Sequence, residues 1–423
     1  MGVMMWVLFP MTSAVLLPLC TIAPLGWHLL ARRQLPWYSP SPTTMVLMLA
    51  AGFLLINALW SRSPDQAARA IMLVILMVGT LHIVLNTLPA LDEPPLRAMA
   101  AGALVGLAAA GAFLCLEVFS DQSLRRLLMR LIPALQPNPH HMALQEGQPA
   151  WLAPYLPNSN IAVLTLMLFP AALLAGRLNL PRALKVAALA AAGLAVATVL
   201  ASEHASSQVA LVGACVVLTL LRLRPKVAMR VLVAGWVTAN LVAVPVAWLL
   251  FSAGVQHAHW VPDSFRHRVV IWRYTAALIP EAPLLGAGIG TGRALHEMRQ
   301  EDHRAARLAP GTRFELTTNL HTHNAYLQVW YEAGAVGASI VLALGLVILI
   351  GLRTVAAATQ PYLAATFAAC ALLVASAYSI WAPWFMATLA MTAIFAALGA
   401  ALPTSPPQSV SRGRSELPTR ALE

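Results

Sequence analysis

Segments of about twenty apolar residues recur along almost the whole chain, and that recurrence limits the fold more than any single motif. Stretches such as "LVGACVVLTLL" and "ASIVLALGLVILIGL" belong to runs long enough to cross a hydrocarbon core as helix. Lipid offers no hydrogen-bond partners to the backbone, so spanning segments of this kind must be helical. Composition agrees: 59% of the 423 residues are hydrophobic and 10% are charged, against roughly 25% charged in soluble domains. The expected fold is an all-α polytopic membrane protein.

Spans are expected near 43–60, 67–88, 98–119, 159–176, 183–201, 207–221, 227–251, 325–352, 361–378 and 383–402, with one or two more within 4–30. The total is 11 or 12. Pro10, Pro18 and Pro24 leave the geometry of the first stretch open. With no basic n-region and no clean small-x-small site, that stretch reads as a retained span and not as a cleaved signal.

The formal charge of +11 does not point to nucleic acid, because the basic residues are spread over short loops. "ARRQ" at 31–34, "GRLNLPRALK" at 176–185, "RLRPKVAMR" at 222–230, Arg353 and the tail arginines Arg412, Arg414 and Arg420 share one side by parity. The positive-inside rule makes that side cytoplasmic. Cys20, Cys115, Cys215 and Cys370 each stand alone in apolar sequence, so they define neither a disulfide framework nor a zinc spacing.

The organisation that follows has four parts. Residues 1–251 hold the N-terminal spans and an outer loop at 120–158, and 252–322 form a long loop on the face opposite the basic loops. The C-terminal spans occupy 323–402, and 403–423 make a short tail of disordered composition. Within the outer loop, "SLRRLLMRLIPAL" at 123–135 puts leucines on one helical stripe and Arg125, Arg126 and Arg130 away from it. That pattern suits the membrane interface near anionic head groups or, equally, a frayed helix end.

Function-capable side chains concentrate in and just after the long loop: seven of the twelve histidines lie between His257 and His323. Arg266, Arg268 and Arg273 precede "PEAPLLGAGIGTG". Arginine forks onto phosphate oxygens, whereas arginines near a membrane boundary also snorkel to head groups. The glycine run lacks the strand and helix of a nucleotide fold and reads as a tight turn.

In "HTHNAYLQVWYEAGAVG" (321–337), a helix starting near Asn324 places Asn324, Gln328, Tyr331 and Glu332 on one face. Polar residues in a span normally face a cavity or the bundle interior; the alternative is a tilted helix still outside the lipid. His323 precedes this face with a side chain suited to general-base work, and His321 stands beside it. His321 with His323, or His257 with His259, could instead ligate a metal, but neither pair has a third or fourth ligand at supporting spacing, so no metal is expected. Gly334, Gly337, Ala338 and Ser339 form a small-residue strip for close helix approach.

These residues resemble a known family. His323-Asn324, nine residues, then Gly334-x-x-Gly337 is similar to the signature of the bacterial O-antigen ligase family. Arg268-x3-Trp272 before "PLLGAGIG" and the earlier "LPNSNIAVLTLML" extend the resemblance over roughly residues 150 to 350. It implies a C-type glycosyltransferase working at the periplasmic face of the bacterial inner membrane, with a cytoplasmic C-terminus. The implied reaction moves a completed glycan from undecaprenyl pyrophosphate to a lipid A-core hydroxyl in lipopolysaccharide biosynthesis, inverting and without metal, nucleotide or other cofactor.

The resemblance makes His323 and Arg268 catalytic; from the chemistry of arginine, Arg266 and Arg273 are expected with Arg268 at the donor pyrophosphate. His321, Asn324, Gln328 and Glu332 are expected on the acceptor or cavity face. One departure stands out: where family members often carry an arginine early in the span near 207, this chain has Ser207-Gln208. O-antigen polymerases and protein O-oligosaccharyltransferases share the signature and are the alternatives. A secondary transporter fits less well, since no internal repeat is present. Oligomeric state is not legible from the chain.

Overall fold

The computed structural model describes residues 2–133, 141–301 and 307–403, apart from 28, 31–32, 34–37 and 146–147. It is helical almost throughout. Three short helices, α1 (Gly2–Leu8), α2 (Ser13–Leu19) and α3 (Ile22–Trp27), open the chain. They are followed by α4 (Pro42–Asn57), α5 (Pro64–Thr87), α6 (Glu93–Phe119) and α7 (Ser123–Leu131). A two-stranded antiparallel hairpin, β1 (Met142–Gln145) with β2 (Gln148–Leu152), interrupts the helices.

Next come α8 (Asn158–Arg177), α9 (Arg182–Ala201), α10 (Ala205–Leu223) and α11 (Pro225–Ser252). The long connection carries α12 (Asp263–Leu278) and α13 (Thr291–Glu301). The chain closes with α14 (Ala325–Leu352), α15 (Gln360–Val374) and α16 (Pro383–Ala401).

Ten helical stretches among the described residues are long and apolar enough to cross a membrane, and α15 is a shorter apolar helix. The fold is that of an all-α multi-pass membrane protein. Expected and observed spans agree closely from residue 42 onward. Before that, Pro10 starts a 3-10 turn and Pro18 lies inside α2, so the first stretch is broken where proline removes backbone donors. The tail at 404–423 and part of the 31–34 loop lie outside the described residues.

The helices sort by burial. α8 is buried around most of its circumference, Ile161 through Met167 being sequestered without interruption, which marks it as the centre of the bundle. α9 exposes most of its apolar surface, as a lipid-facing helix does. Alternation of spans then puts the 58–63, 120–157, 202–204, 253–324 and 375–382 connections at one end of the bundle. The 178–181 connection, flanked by Arg177, Arg182 and Lys185, lies at the other end with Arg224 and Arg353.

α15 rises only about 22 Å over its 15 residues, short of a roughly 30 Å hydrocarbon core. The non-helical residues 375–382 follow it, and their backbone finds partners within the protein: Ala377 O accepts from His323 Nδ1 and Ile380 N donates to Gln328 Oε1. α14 has its own irregularity: Gly334 leaves helical geometry at φ 63°, ψ −164°. The broken ladder is filled by the 283–288 segment. Ala335 N donates to Pro283 O (2.9 Å) and Val336 N to Leu284 O (3.1 Å), while Tyr331 O and Glu332 O accept from Ala287 N (2.9 Å) and Gly288 N (3.0 Å).

The glycine run is therefore more than a tight turn. A Cβ on Gly286 would lie 2.4 Å from Ala333 N, and one on Gly334 would lie 2.4 Å from Leu284 O. Both have positive φ, which an L side chain adopts only with strain. Two backbones meet here because neither carries a side chain. From α4, Asn57 clamps the same loop: its Nδ2 donates to Leu285 O (2.9 Å) and its Oδ1 accepts from Ile289 N (2.9 Å).

The α7 helix leaves Leu127 and Leu131 exposed. Its arginines are bound to protein: Arg125 pairs with the buried Glu117 (3.6 Å), Arg126 with Asp121 (3.0 Å), and Arg130 reaches Pro149 O (3.5 Å). Residues 134–135 of the expected stripe lie outside the described residues.

Candidate functional site

α14 begins with a cap. Asn324 takes extended geometry and its Oδ1 accepts from Leu327 N at 3.1 Å, leaving one orphan donor fewer at the helix start. His323, just before it, has φ 55°, a left-handed conformation uncommon outside glycine and costly enough to mark a constrained position.

What fixes His323 lies across the bundle. Its Nδ1 is 2.9 Å from Ala377 O, and a carbonyl can only accept, so Nδ1 carries the hydrogen. Nε2 then holds the lone pair, with no hydrogen bond formed to it among the described residues. Trp272 Nε1 donates to Thr322 O at 2.8 Å, pinning the residue between His321 and His323. The two imidazoles stand 4.0 Å apart by ring centroid. His321 Nε2 is buried with no hydrogen-bond partner among the described residues.

Arg268 sits one helical turn before Trp272 on α12. Its charge bears on His204, His267, His321, His323 and the phenol of Tyr378. Burial, then the neighbouring His321, then Arg268 push His323 down to about 3. Burial followed by Arg268 brings His321 and His204 each to about 4. These imidazoles are accordingly neutral around a guanidinium that stays charged. Among the described residues, no carboxylate pairs with Arg268 and no hydrogen bond occupies it.

Helix periodicity separates the three arginines. Positions 266 and 273 differ by seven residues and share a face, whereas 268 lies on the far side of α12. Arg266 is paired with Asp263 and rests over Phe314 (5.6 Å), and Arg273 stacks on Trp248 at 3.3 Å from the ring centroid. The structure brings Arg268, His321 and His323 together and turns Arg266 and Arg273 elsewhere.

Gln328 and Glu332, expected on a cavity face, are instead engaged with protein. Glu332, 2% exposed, accepts from Gly292 N (3.1 Å), Gln328 Nε2 (3.4 Å) and Trp381 Nε1. Gln328 also binds Ser379 Oγ (3.1 Å) and accepts from Ile380 N (3.2 Å). The polar strip of α14 thus holds the irregular segments on both sides, including the one that offers Ala377 O to His323.

Two members of the cluster carried no signal in the sequence. His204 closes the short turn between α9 and α10. Tyr378 follows α15, and the close packing of α10 against α15 brings them together. Tyr378 OH lies 3.4 Å from His204 Nε2, and Ser207 Oγ lies 2.7 Å from His204 Nδ1. Gln208, at the place of the expected arginine, folds back onto Leu200 O (3.0 Å) and Ser202 O (2.8 Å). No group of three or more metal-ligating side chains occurs among the described residues.

The fold and this cluster define a class: a multi-pass membrane protein that carries, at one end of its bundle, an arginine with no carboxylate partner among the described residues and several buried imidazoles around it. Residues 190–342 match the model of a family described as O-antigen ligase, and the chain is similar to that family over this region. The matched segment runs from within α9 to α14 and includes His204, Arg268, His321, His323 and Gly334. The family supports a lipid-linked glycan transfer of the ligase, polymerase or oligosaccharyltransferase type. No curated protein matches the chain.

Proposed function

We propose that the protein is an O-antigen ligase, transferring a completed glycan from undecaprenyl pyrophosphate to a hydroxyl of lipid A-core. One observation carries the reading: Arg268, charged and without a counter-ion among the described residues, stands beside a histidine whose Nε2 lone pair is unengaged. The first suits a diphosphate leaving group and the second suits an acceptor hydroxyl.

In the reaction, the acceptor O–H gives its proton to His323 Nε2 as its oxygen attacks the anomeric carbon. The bond from that carbon to the diphosphate oxygen breaks, and its electron pair leaves on the phosphate with inversion of configuration. Arg268 stabilises the charge that develops there. Burial and neighbouring positive charge oppose protonation of His323 and make it a weak base. A seated diphosphate offsets the guanidinium charge, so the imidazole becomes more basic when the donor is bound.

Topology supports the periplasmic face of the bacterial inner membrane as the place of reaction. The site connections lie at the end opposite the basic loops at 177–185 and 222–230, which the positive-inside rule assigns to the cytoplasm together with the C-terminus.

The test is reconstitution of the purified protein in lipid nanodiscs with undecaprenyl-pyrophosphate glycan and lipid A-core, in EDTA and without nucleotide. Glycan on lipid A-core is the expected product. Glycan extended on the donor lipid would make the protein a polymerase, and no transfer to either lipid would overturn the reading.

A further inference from the structure

His204 is 5% exposed, has no place in the reaction as written above, and sits within the field of Arg268. A purely structural histidine would have both nitrogens firmly satisfied by protein. Here Nδ1 has a close partner in Ser207 (2.7 Å), whereas Nε2 reaches Tyr378 OH only at 3.4 Å. That is long for a nitrogen–oxygen hydrogen bond, and an incoming oxygen acceptor can replace it.

The choice of serine at Nδ1 matters. A hydroxyl can donate or accept, so it can donate to a neutral imidazole or accept from a protonated one. In both states Nε2 is free to carry a hydrogen and point it toward Tyr378. The Tyr378 hydroxyl adds a second donor next to it, and the rings stand 5.6 Å apart by centroid. The charged group bearing on His204 is Arg268, and no carboxylate pulls on it. The remaining titratable neighbours of Arg268 are His267, His321 and His323.

We propose that His204 and Tyr378 form the second half of a diphosphate-binding subsite, both donating to phosphate oxygens opposite the Arg268 guanidinium. The inference rests on the donor reading above and assigns to it two residues on elements outside α12 and α14. The histidine lies on the α9–α10 turn and the tyrosine on the segment after α15. Three separate parts of the chain thereby converge on one anion. Tyr378 plays a double part, binding the ligand and holding the imidazole.

The experiment measures binding of geranylgeranyl diphosphate, with geranylgeranyl monophosphate as comparison, to the full-length protein in nanodiscs by isothermal titration calorimetry. His204→Ala is expected to weaken diphosphate binding roughly ten- to a hundredfold, as for loss of a hydrogen bond to a charged group. His204→Gln, which restores an N–H near the position of Nε2, should recover part of that loss. Tyr378→Phe should weaken binding by less than about tenfold. The monophosphate should lose less than the diphosphate in each case, whereas a general structural defect would weaken both alike.

Arg313→Ala serves as control, since that residue is 73% exposed and paired with Asp263. If His204→Ala fails to fold, Tyr378→Phe and His204→Gln still decide. Unchanged diphosphate affinity in all His204 and Tyr378 variants, with affinity lost in Arg268→Ala, would overturn this inference and leave the donor reading intact. Absence of diphosphate binding by the unaltered protein would overturn both.

Discussion

Two polar clusters flank the first turns of α14, and they are built on opposite principles. Around Glu332, every polar group faces a partner: the carboxylate takes donors from Gly292, Gln328 and Trp381, and Asn57 clamps the loop from the other side. Around Arg268, the groups are left short: among the described residues, a guanidinium without a counter-ion, a buried His321 Nε2 without a hydrogen-bond partner, and a His323 held in left-handed geometry. Burying polar groups without partners costs stability. In the reading proposed above, the satisfied cluster holds the site together and the unsatisfied one does its chemistry.

The comparison is sharpest in mutants whose effects should separate cleanly. His323→Ala is expected to lower glycan transfer by roughly 10²–10⁴-fold while the thermal midpoint in nanodiscs stays within a few degrees. A retained rate would remove the histidine from the reaction. Arg268→Ala should lower transfer by about 10²–10³-fold, with Arg268→Lys recovering only part because lysine lacks the planar fork. Equal activity of the alanine and lysine forms would contradict a role at the diphosphate.

On the satisfied side the order of effects reverses. Glu332→Ala leaves three donors without their acceptor and should destabilise by about 3 kcal/mol or more, seen first as a lowered unfolding midpoint. Gly334→Ala should destabilise by at least about 1–2 kcal/mol through its positive φ alone, before the overlap with Leu284 O. If either variant were as stable as the parent yet inactive, the division between building and reacting groups would be wrong.

The smallest effects concern pH. His204, His321 and His323 have folded values of about 4, 4 and 3, below the roughly 6.5 of an unfolded chain. Between those values the unfolded state binds more protons, so the contribution to stability is full above about pH 6.5 and lost as pH falls toward 4. The kcat/KM for donor reports the free enzyme. It should therefore run flat through pH 6.5 and decline only toward pH 4, whereas an inflection near 6.5 would show an ordinary, well-solvated imidazole at position 323.

Much of this was legible in the residues. The apolar periodicity of spans after residue 42 survived almost unchanged, because in lipid a helix is the one way for an isolated segment to satisfy its backbone. The positions of His323, Arg268 and the Gly334-x-x-Gly337 strip were legible through the pattern of a family. The fate of Gln328 and Glu332 was not: helical spacing gives the face on which they sit, but not whether that face meets a cavity or the 379–381 and 286–292 backbones.

What only the tertiary structure decided is which polar groups find each other. Arg266, Arg268 and Arg273 are three similar cations in sequence, and the rotation of α12 against α14 gives one of them to the histidines and the others to Asp263 and Trp248. His204 and Tyr378 are 174 residues apart and meet because α10 packs along α15. The sequence by itself determined a membrane bundle and the neighbourhood of its chemistry, since hydrophobicity and helix period are local. Compensation of charge is not local, and only the packed helices show that Arg268 has no carboxylate partner among the described residues.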